Sequence, residues 1–351
     1  MKNNIPKVPT WRKIFEDLQR EFATRDLKCG DPFYSLRDIT QKYQTSEITA
    51  KRAFSELAAK GFIKKIPGKG TFVQKNSSIH EIILLLPENH RSMIYYDILR
   101  GVSEAAQETG ISLTTITNDL SLAEVPPDRG FIFIEGVYVS DAEALKKFGK
   151  NVVAVHFPTP LKSCSTVGID FEKGACLAVK HLLDLGHKRI AMIGGNVSGV
   201  WFTSRYEGYL RALRSRRINM DLKLIKETTG ENMEEDRKAL QELMEMNDPP
   251  TAIFAGTDVR AFHLLGYCAE NGIKVPEQLS IVGFDNSEGA GYSTPPLTTI
   301  DTHRIRLGCE AVYLLVDLIN GKREKCHLEI EPTLIQRQSA APIKQIAKQN
   351  S

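Results

Sequence analysis

From residue 82 onward the chain alternates apolar runs of strand length with segments of helical period, and that alternation restricts its fold more than any other feature. Ile82-Ile83-Leu84-Leu85-Leu86 is an unbroken aliphatic run stopped by Pro87. It is too short to span a membrane and too uniformly apolar for a strand with one wet face. Comparable runs recur at 131–134, 152–155, 190–193, 251–254 and 279–282, with helix-period segments at 95–109, 172–185, 204–217 and 258–270 between them. Three of those segments stop at Gly110, Gly186 and Gly272, as helices commonly do. Strands buried on both faces need helices on both sides of their sheet, so the pattern predicts an α/β fold of parallel sheets. The stretch of about 260 residues is long enough for two such lobes with a ligand cleft between them.

The first 78 residues are built differently. They carry 16 Lys+Arg against 8 Asp+Glu, a net charge of +8, whereas 79–351 carry −5; together these give the unremarkable +3 of the 351-residue whole. Such a split marks a nucleic-acid-facing end. Trp11, Ile14, Phe15, Leu18 and Phe22 fall on one stripe of a helix over 11–24. Gly30-Asp31-Pro32 breaks it, and Ser35-Leu36-Arg37-Asp38 is a capping-box-like start for a short helix ending near Tyr43. Ser46 caps a third helix over 47–59, with Gly61 as its stop and Ile48, Phe54 and Leu57 expected to face the core. Strands at 62–66 and 71–73 are joined by the tight turn Pro67-Gly68-Lys69-Gly70. Three helices and a β-wing make a winged helix-turn-helix, expected as a DNA-binding domain over 8–75. A polar, aperiodic linker at 76–80 joins it to a regulatory domain over 81–342.

Gly30, Ser35-x-Arg37, Thr45-Ser46, Thr49, Lys51, Ala53, Leu57, Gly61 and Gly68-Lys69-Gly70-Thr71-Phe72-Val73 resemble, in order and spacing, the GntR family of bacterial transcription factors. The resemblance implies that the helix over 47–59 lies in the major groove with its N-terminal residues at the base edges. Thr45, Ser46, Thr49, Lys51 and Arg52 are then candidate DNA contacts. Arg37 would meet a phosphate or a guanine, and Lys69 and Gly70 would bring the wing to the minor groove or backbone. Ser46 reads equally as a plain cap, and Lys69 as a solvated turn lysine. Glu47 stands where the family usually has arginine. A carboxylate suits a helix N-terminus, but it repels phosphate and can accept from cytosine N4, so a changed operator base is expected there.

The remainder, over roughly 80–342, resembles the LacI family of sugar-responsive regulators, with a periplasmic-binding-protein-like core of two parallel-sheet lobes. The resemblance rests on Leu99-Arg100-Gly101-Val102, Thr166-Val167-Gly168-Ile169-Asp170, the run from His181 to Gly195, Arg205-Tyr206-Glu207-Gly208-Tyr209 and Thr251 to Asp258. It continues through Val275 to Asp285, Pro295-Pro296-Leu297-Thr298-Thr299-Ile300 and Pro332-x-Leu334-Ile335-x-Arg337. The GntR-like segment stands in place of that family's usual DNA headpiece and hinge helix. The resemblance implies an effector pocket that includes Tyr95, His156, Asp170, Arg205, Thr257, Asp258 and Asp285, with Trp201 as a possible cover. Charged groups that bond hydroxyls and an aromatic that packs on a C–H face suit a polyol. Structural readings stand beside these: Asp170 and Asp258 as helix caps, Arg205 as a surface residue, Asp285 as a turn residue, and His156 and Trp201 as packing. His156 and Thr257 replace residues common in the family, aspartate and asparagine, which leaves the sugar open.

Enzymatic readings find little support. His181 and His187 form no H-E-x-x-H pair, Gly194-Gly195-x-x-x-Gly199 is neither a Walker loop nor G-x-G-x-x-G, and no nucleophile elbow occurs. No cofactor or metal is expected. The six cysteines are scattered and read as reduced, mostly buried thiols. The N-terminus, with Pro6 and Pro9, has no signal-peptide core, and no apolar run reaches about 18 residues, so a cytoplasmic location is expected, with no membrane partner. That opposes a periplasmic sugar-transport protein. The expectation is a homodimeric repressor bound to palindromic double-stranded operator DNA and released by a sugar. A corepressor-dependent or activating regulator of the same fold is the alternative.

Overall fold

The computed structural model describes residues 10–24, 27, 30–59, 62–73, 81–86, 93–117, 129–134, 148, 151–157, 161–195, 200–229 and 232–343. Cys29, Gly61, the expected linker and the side chains of Phe22 and Trp201 lie outside the described residues. The chain divides after Ser78 into two compact units.

In the smaller unit, α1 (Thr10–Thr24), α2 (Leu36–Lys42) and α3 (Glu47–Ala59) precede an antiparallel hairpin of β1 (Ile63–Ile66) and β2 (Gly70–Val73). The stripe on α1 buries Ile14, Phe15 and Leu18. A full capping box starts α2: Ser35 Oγ accepts from the Asp38 amide and the Asp38 carboxylate accepts from the Ser35 amide. Helix α3 buries Ala50, Ala53 and Leu57, spaced as one helical face. The expectation that Ile48 faces this core is wrong. Ile48 is 83% exposed, because two residues before Ala50 is about 200° around the helix and therefore on the opposite face.

The larger unit contains two six-stranded sheets. The first holds β3 (Glu81–Leu86), β4 (Ser112–Thr117), β5 (Gly130–Ile134), β6 (Val152–Val155), β7 (Ser165–Ile169) and a late strand, β13 (His327–Ile330), all parallel, in the order β13-β7-β6-β5-β3-β4. The second holds β8 (Ile190–Gly194), β9 (Ile225–Glu227), β10 (Ala252–Ala255), β11 (Ser280–Asp285) and β12 (Thr298–Asp301), with β14 (Thr333–Ile335) antiparallel on its edge. Every residue of β5, β6, β7, β8, β10 and β11 is buried, as strands covered by helices on both faces must be. The covering helices are α4 (Met93–Thr109), α5 (Phe171–Asp184), α6 (Val200–Ser215), α7 (Met233–Met244), α8 (Asp258–Glu270) and α9 (Arg304–Ile319).

The chain passes from the first sheet to the second at Asp170, returns at 302–303 and crosses again at 331–332. These crossings are tied together. Lys173 Nζ lies 2.7 Å from Glu331 Oε1, and His303 Nε2 lies 3.1 Å from Thr333 Oγ1. Helix α9 returns to the first lobe and packs on α4 almost backbone to backbone. A Cβ at Gly101 would lie 1.9 Å from Ile305 O, and one at Gly308 would lie 2.2 Å from Ile98 O. Overpacking such a contact is costly, so Gly308→Ala is expected to lower unfolding free energy by about 2–3 kcal/mol in urea melts. Gly291→Ala, which meets open space, should change it by less than about 0.5 kcal/mol.

Candidate functional site

In open parallel sheets ligands bind beyond the carboxyl ends of the strands, and the sequence-predicted residues of the large unit gather there. His156 follows β6, Asp170 follows β7, Thr257 and Asp258 follow β10, and Asp285 ends β11. Tyr95 is half-buried in the first turn of α4, Arg205 is buried in the second turn of α6, and Trp201 lies in the first turn of α6.

Arg205 lies beside a stacked pair of phenylalanine rings, Phe171 and Phe284, whose centres are 6.0 Å apart. Its guanidinium carbon stands 4.9 Å from the ring centre of Phe171 and 4.5 Å from that of Phe284, a cation–π arrangement that substitutes for part of its lost hydration. Arg205 Nη2 reaches Asp285 Oδ1 at 3.9 Å. His156 meets the same aromatic group edge-on, 5.4 Å from Phe171.

A second buried arginine, which the sequence reading missed, completes the cluster. Arg304 Nη1 lies 3.6 Å from Asp285 Oδ1, while its Nε donates to Asp97 Oδ2 on α4 at 3.1 Å. Arg304 opens α9 immediately after the second crossing, so it joins a carboxylate of the second sheet to a helix of the first lobe. Linear spacing gave no sign of it, because Arg306 two residues later is an ordinary exposed arginine. Both guanidinium groups stand farther from Asp285 than the roughly 2.7–2.9 Å of a direct charge-assisted hydrogen bond.

The backbone around the cleft is unusual too. His156 (φ 66°), Asp285 (φ 120°), Asn286 (φ 51°) and His303 (φ 50°) all occupy the left-handed region, which non-glycine residues adopt at a cost.

Of the two aspartates that also read as helix caps, one is a cap and the other is not. Asp170 caps α5, its Oδ1 accepting from the Lys173 amide at 2.7 Å. Helix α8 is capped by Thr257, which accepts from the Arg260 amide at 3.3 Å, and not by Asp258. Asp258 instead ties strands and loop together: Oδ2 accepts from the amide and hydroxyl of Ser287 at 2.7 and 3.0 Å, and Oδ1 accepts from the Thr299 hydroxyl. Burial, and secondarily the charge of Asp285, pushes the Asp258 carboxyl up to about 7, against the lowering effect of its three hydrogen bonds. An acid whose folded pKa exceeds its unfolded value binds more protons folded than unfolded, so it subtracts stability as pH rises from about 4 to about 7. Carboxyl-carbon NMR should therefore find Asp258 titrating near 7, and Asp285→Asn should move its midpoint down.

In the small unit, Arg37 lies exposed in the first turn of α2, and Glu47, Lys51 and Arg52 lie exposed on α3. Arg37, Thr45 and Glu47 line one surface depression, while Lys51, Gly68 and Gly70 line another between α3 and the hairpin. Ser46 Oγ accepts from the Thr49 amide at 3.3 Å, so it does serve as a cap. Lys69 is exposed at the hairpin turn. Arg52 is held over the Trp11 ring at 4.5 Å, which fixes its stem against α1.

A periplasmic binding protein-like domain family matches residues 179–340. The HTH-type transcriptional repressor PurR of Mannheimia succiniciproducens is 30% identical over 264 residues, 71% of this chain and 78% of its own length. The HTH-type transcriptional repressor CytR of Escherichia coli K12 is 41% identical over 158 residues, covering 45% of this chain and 46% of the relative. Among solved structures, a LacI family transcriptional regulator from Enterococcus faecium with bound ribose superimposes with a TM-score of 0.66 at 26% identity, over 75% of this chain and all of the other. The transcriptional regulator CelR in complex with cellobiose gives a TM-score of 0.65 at 25% identity, over 85% of this chain and 92% of the other.

Proposed function

The chain belongs to the LacI family of ligand-responsive transcriptional regulators, and we propose that it represses sugar-utilisation genes and is released from its operator by a sugar. Its relatives are transcriptional repressors, and the chain is a regulator, not an enzyme. The observation that carries the sugar reading is the buried carboxylate of Asp285 flanked by Arg205 and Arg304, with two phenylalanine rings packed against Arg205. Those groups donate to and accept from hydroxyls while offering apolar faces to C–H groups. The ribose and cellobiose held by two structurally similar regulators support the same class of ligand. Tyr95, His156, Asp170, Thr257 and Asp258 are assigned to the same pocket, either against the ligand or by holding its walls, and Trp201 to its edge.

The DNA-binding half is assigned to the small unit as a GntR-type winged helix-turn-helix. Its helix order, its hairpin and the exposed Arg37, Lys51 and Lys69 support that reading. A GntR-type reader fused to a LacI-type sensor resembles the arabinose repressor AraR of Gram-positive bacteria. Homodimerisation, which a palindromic operator requires, is assigned to a face of the large unit where Tyr292, 84% exposed, borders a groove with Phe262 and Leu265.

The test uses the full chain, an operator selected from randomised duplex DNA, and a panel of pentoses, hexoses, disaccharides and sugar phosphates. One sugar is expected to weaken operator binding about tenfold or more in fluorescence anisotropy, within the usual range of allosteric coupling. Arg205→Ala and Asp285→Ala should keep operator affinity within about twofold and lose the response. A sugar that tightens binding would establish corepression instead, and a protein that no member of the panel affects would refute the sugar reading. Glu47→Arg should select an operator with a different base at one position per half-site, because a guanidinium favours guanine where a carboxylate favours cytosine. Selection of the same sequence by both proteins would refute that role.

A further inference from the structure

We propose that Ile48 reads sequence, by packing against the C5 methyl group of a thymine in the operator. The inference rests on the reading of α3 as the helix that enters the major groove. Helix α3 turns Ala50, Ala53 and Leu57 inward and leaves Ile48 83% exposed. Among the described residues of the small unit it is the one large hydrophobic side chain in that state. A single exposed aliphatic residue on a protein surface is ordinary; its position and surroundings are what give this one meaning. It occupies the first turn of α3, the part of such a helix that meets base edges. A β-branched residue there is a weaker helix former than alanine, lysine or glutamate, so helix stability does not explain the choice. The small unit, with its net charge of +8 over residues 1–78 and with Arg37, Lys51, Arg52, Lys64, Lys65 and Lys69 all exposed, is complementary to a polyanion.

Within a major groove the possible partners of an aliphatic side chain are few. Phosphates and the donor and acceptor edges of the bases offer it nothing, whereas thymine alone carries a methyl group on that edge. Burying the two groups against each other removes apolar surface from water on both sides. Ile48 is thereby a specificity residue adjacent to Glu47, and the two together favour neighbouring pyrimidines, a cytosine for the carboxylate and a thymine for the aliphatic group.

Replacing thymine by deoxyuridine deletes only that methyl group, which makes the test specific. Starting from the operator selected by the full chain, each thymine is exchanged in turn and the dissociation constant measured. One thymine per half-site should be sensitive, its exchange weakening wild-type binding about fourfold. Ile48→Ala should bind the thymine and deoxyuridine operators alike, and Ile48→Val should keep part of the discrimination. Because Ile48 is exposed, both variants should melt at the wild-type temperature, which circular dichroism checks. The proposal is overturned if no thymine is sensitive, or if the sensitivity survives in Ile48→Ala. Selection that enriches no sequence would instead refute the DNA-binding reading of the small unit, and this inference with it.

Discussion

The cleft of the large unit is organised around one buried negative charge. Asp285 ends a fully buried strand, and a carboxylate taken out of water there needs cationic partners to remain ionised. Among the described residues two arginines stand near it, and they come from different parts of the chain. Arg205 approaches from α6 in the same lobe, packed against the stacked rings of Phe171 and Phe284, and Arg304 approaches from the start of α9, anchored on the opposite lobe by Asp97. This buried charge is thus one through which the two lobes touch.

The rest of the unit serves that arrangement. Parallel sheets put all their carboxyl ends on one side, so His156, Asp170, Asp258 and Asp285 arrive at the cleft from four different strands. Arg304 in turn needs α9 close to α4, and the glycines at 101 and 308 let those backbones meet at a distance no side chain allows. Asp258 does not need to touch a ligand to matter: by holding Ser287 and Thr299 it fixes the loop that follows Asp285. The left-handed backbone at Asp285 and Asn286 is retained because that loop is pinned from both sides.

Where the pattern was local and repeated, the fold was legible in the sequence. Unbroken runs such as 82–86 and 131–134 became buried strands, and Ser35 with Asp38 became a true capping box. The late strands β13 and β14 could not be read the same way. They sit on sheet edges or are only partly buried, so their residues alternate weakly and carry no run. At the site the limits were of another kind. Asp285 and Arg205 could be picked out by resemblance, but Arg304 becomes special only through contacts with residues 207 and 19 positions away. Asp258 has the local sequence of a helix cap, while its tie to Thr299, 41 residues on, leaves no local signal. Ile48 is apolar, but only residues that share a helical face with Ala50 and Ala53 reach this core, and it lies on the opposite face.

The geometry around Asp285 also bears on how a sugar could act as a switch. A ligand that binds two conformations equally shifts nothing, whatever its affinity. Its differential contact must therefore lie where the conformations differ, and the Arg304–Asp285 approach joins parts of two lobes connected by three crossings. At 3.6 and 3.9 Å the two guanidinium groups stand outside direct hydrogen-bond distance from Asp285 Oδ1. On the proposed reading, hydroxyls that bond both the carboxylate and a guanidinium gain most when the lobes stand at one particular separation. Hydrogen bonds to charged groups are worth about 1.5–3 kcal/mol each, and allosteric coupling commonly amounts to about 1–3 kcal/mol. One or two hydroxyls made or lost at this contact are therefore enough to account for the switching. On that reading, specificity for the sugar and control of the operator arise from the same few atoms, and a ligand that lacked those hydroxyls would bind without moving the equilibrium.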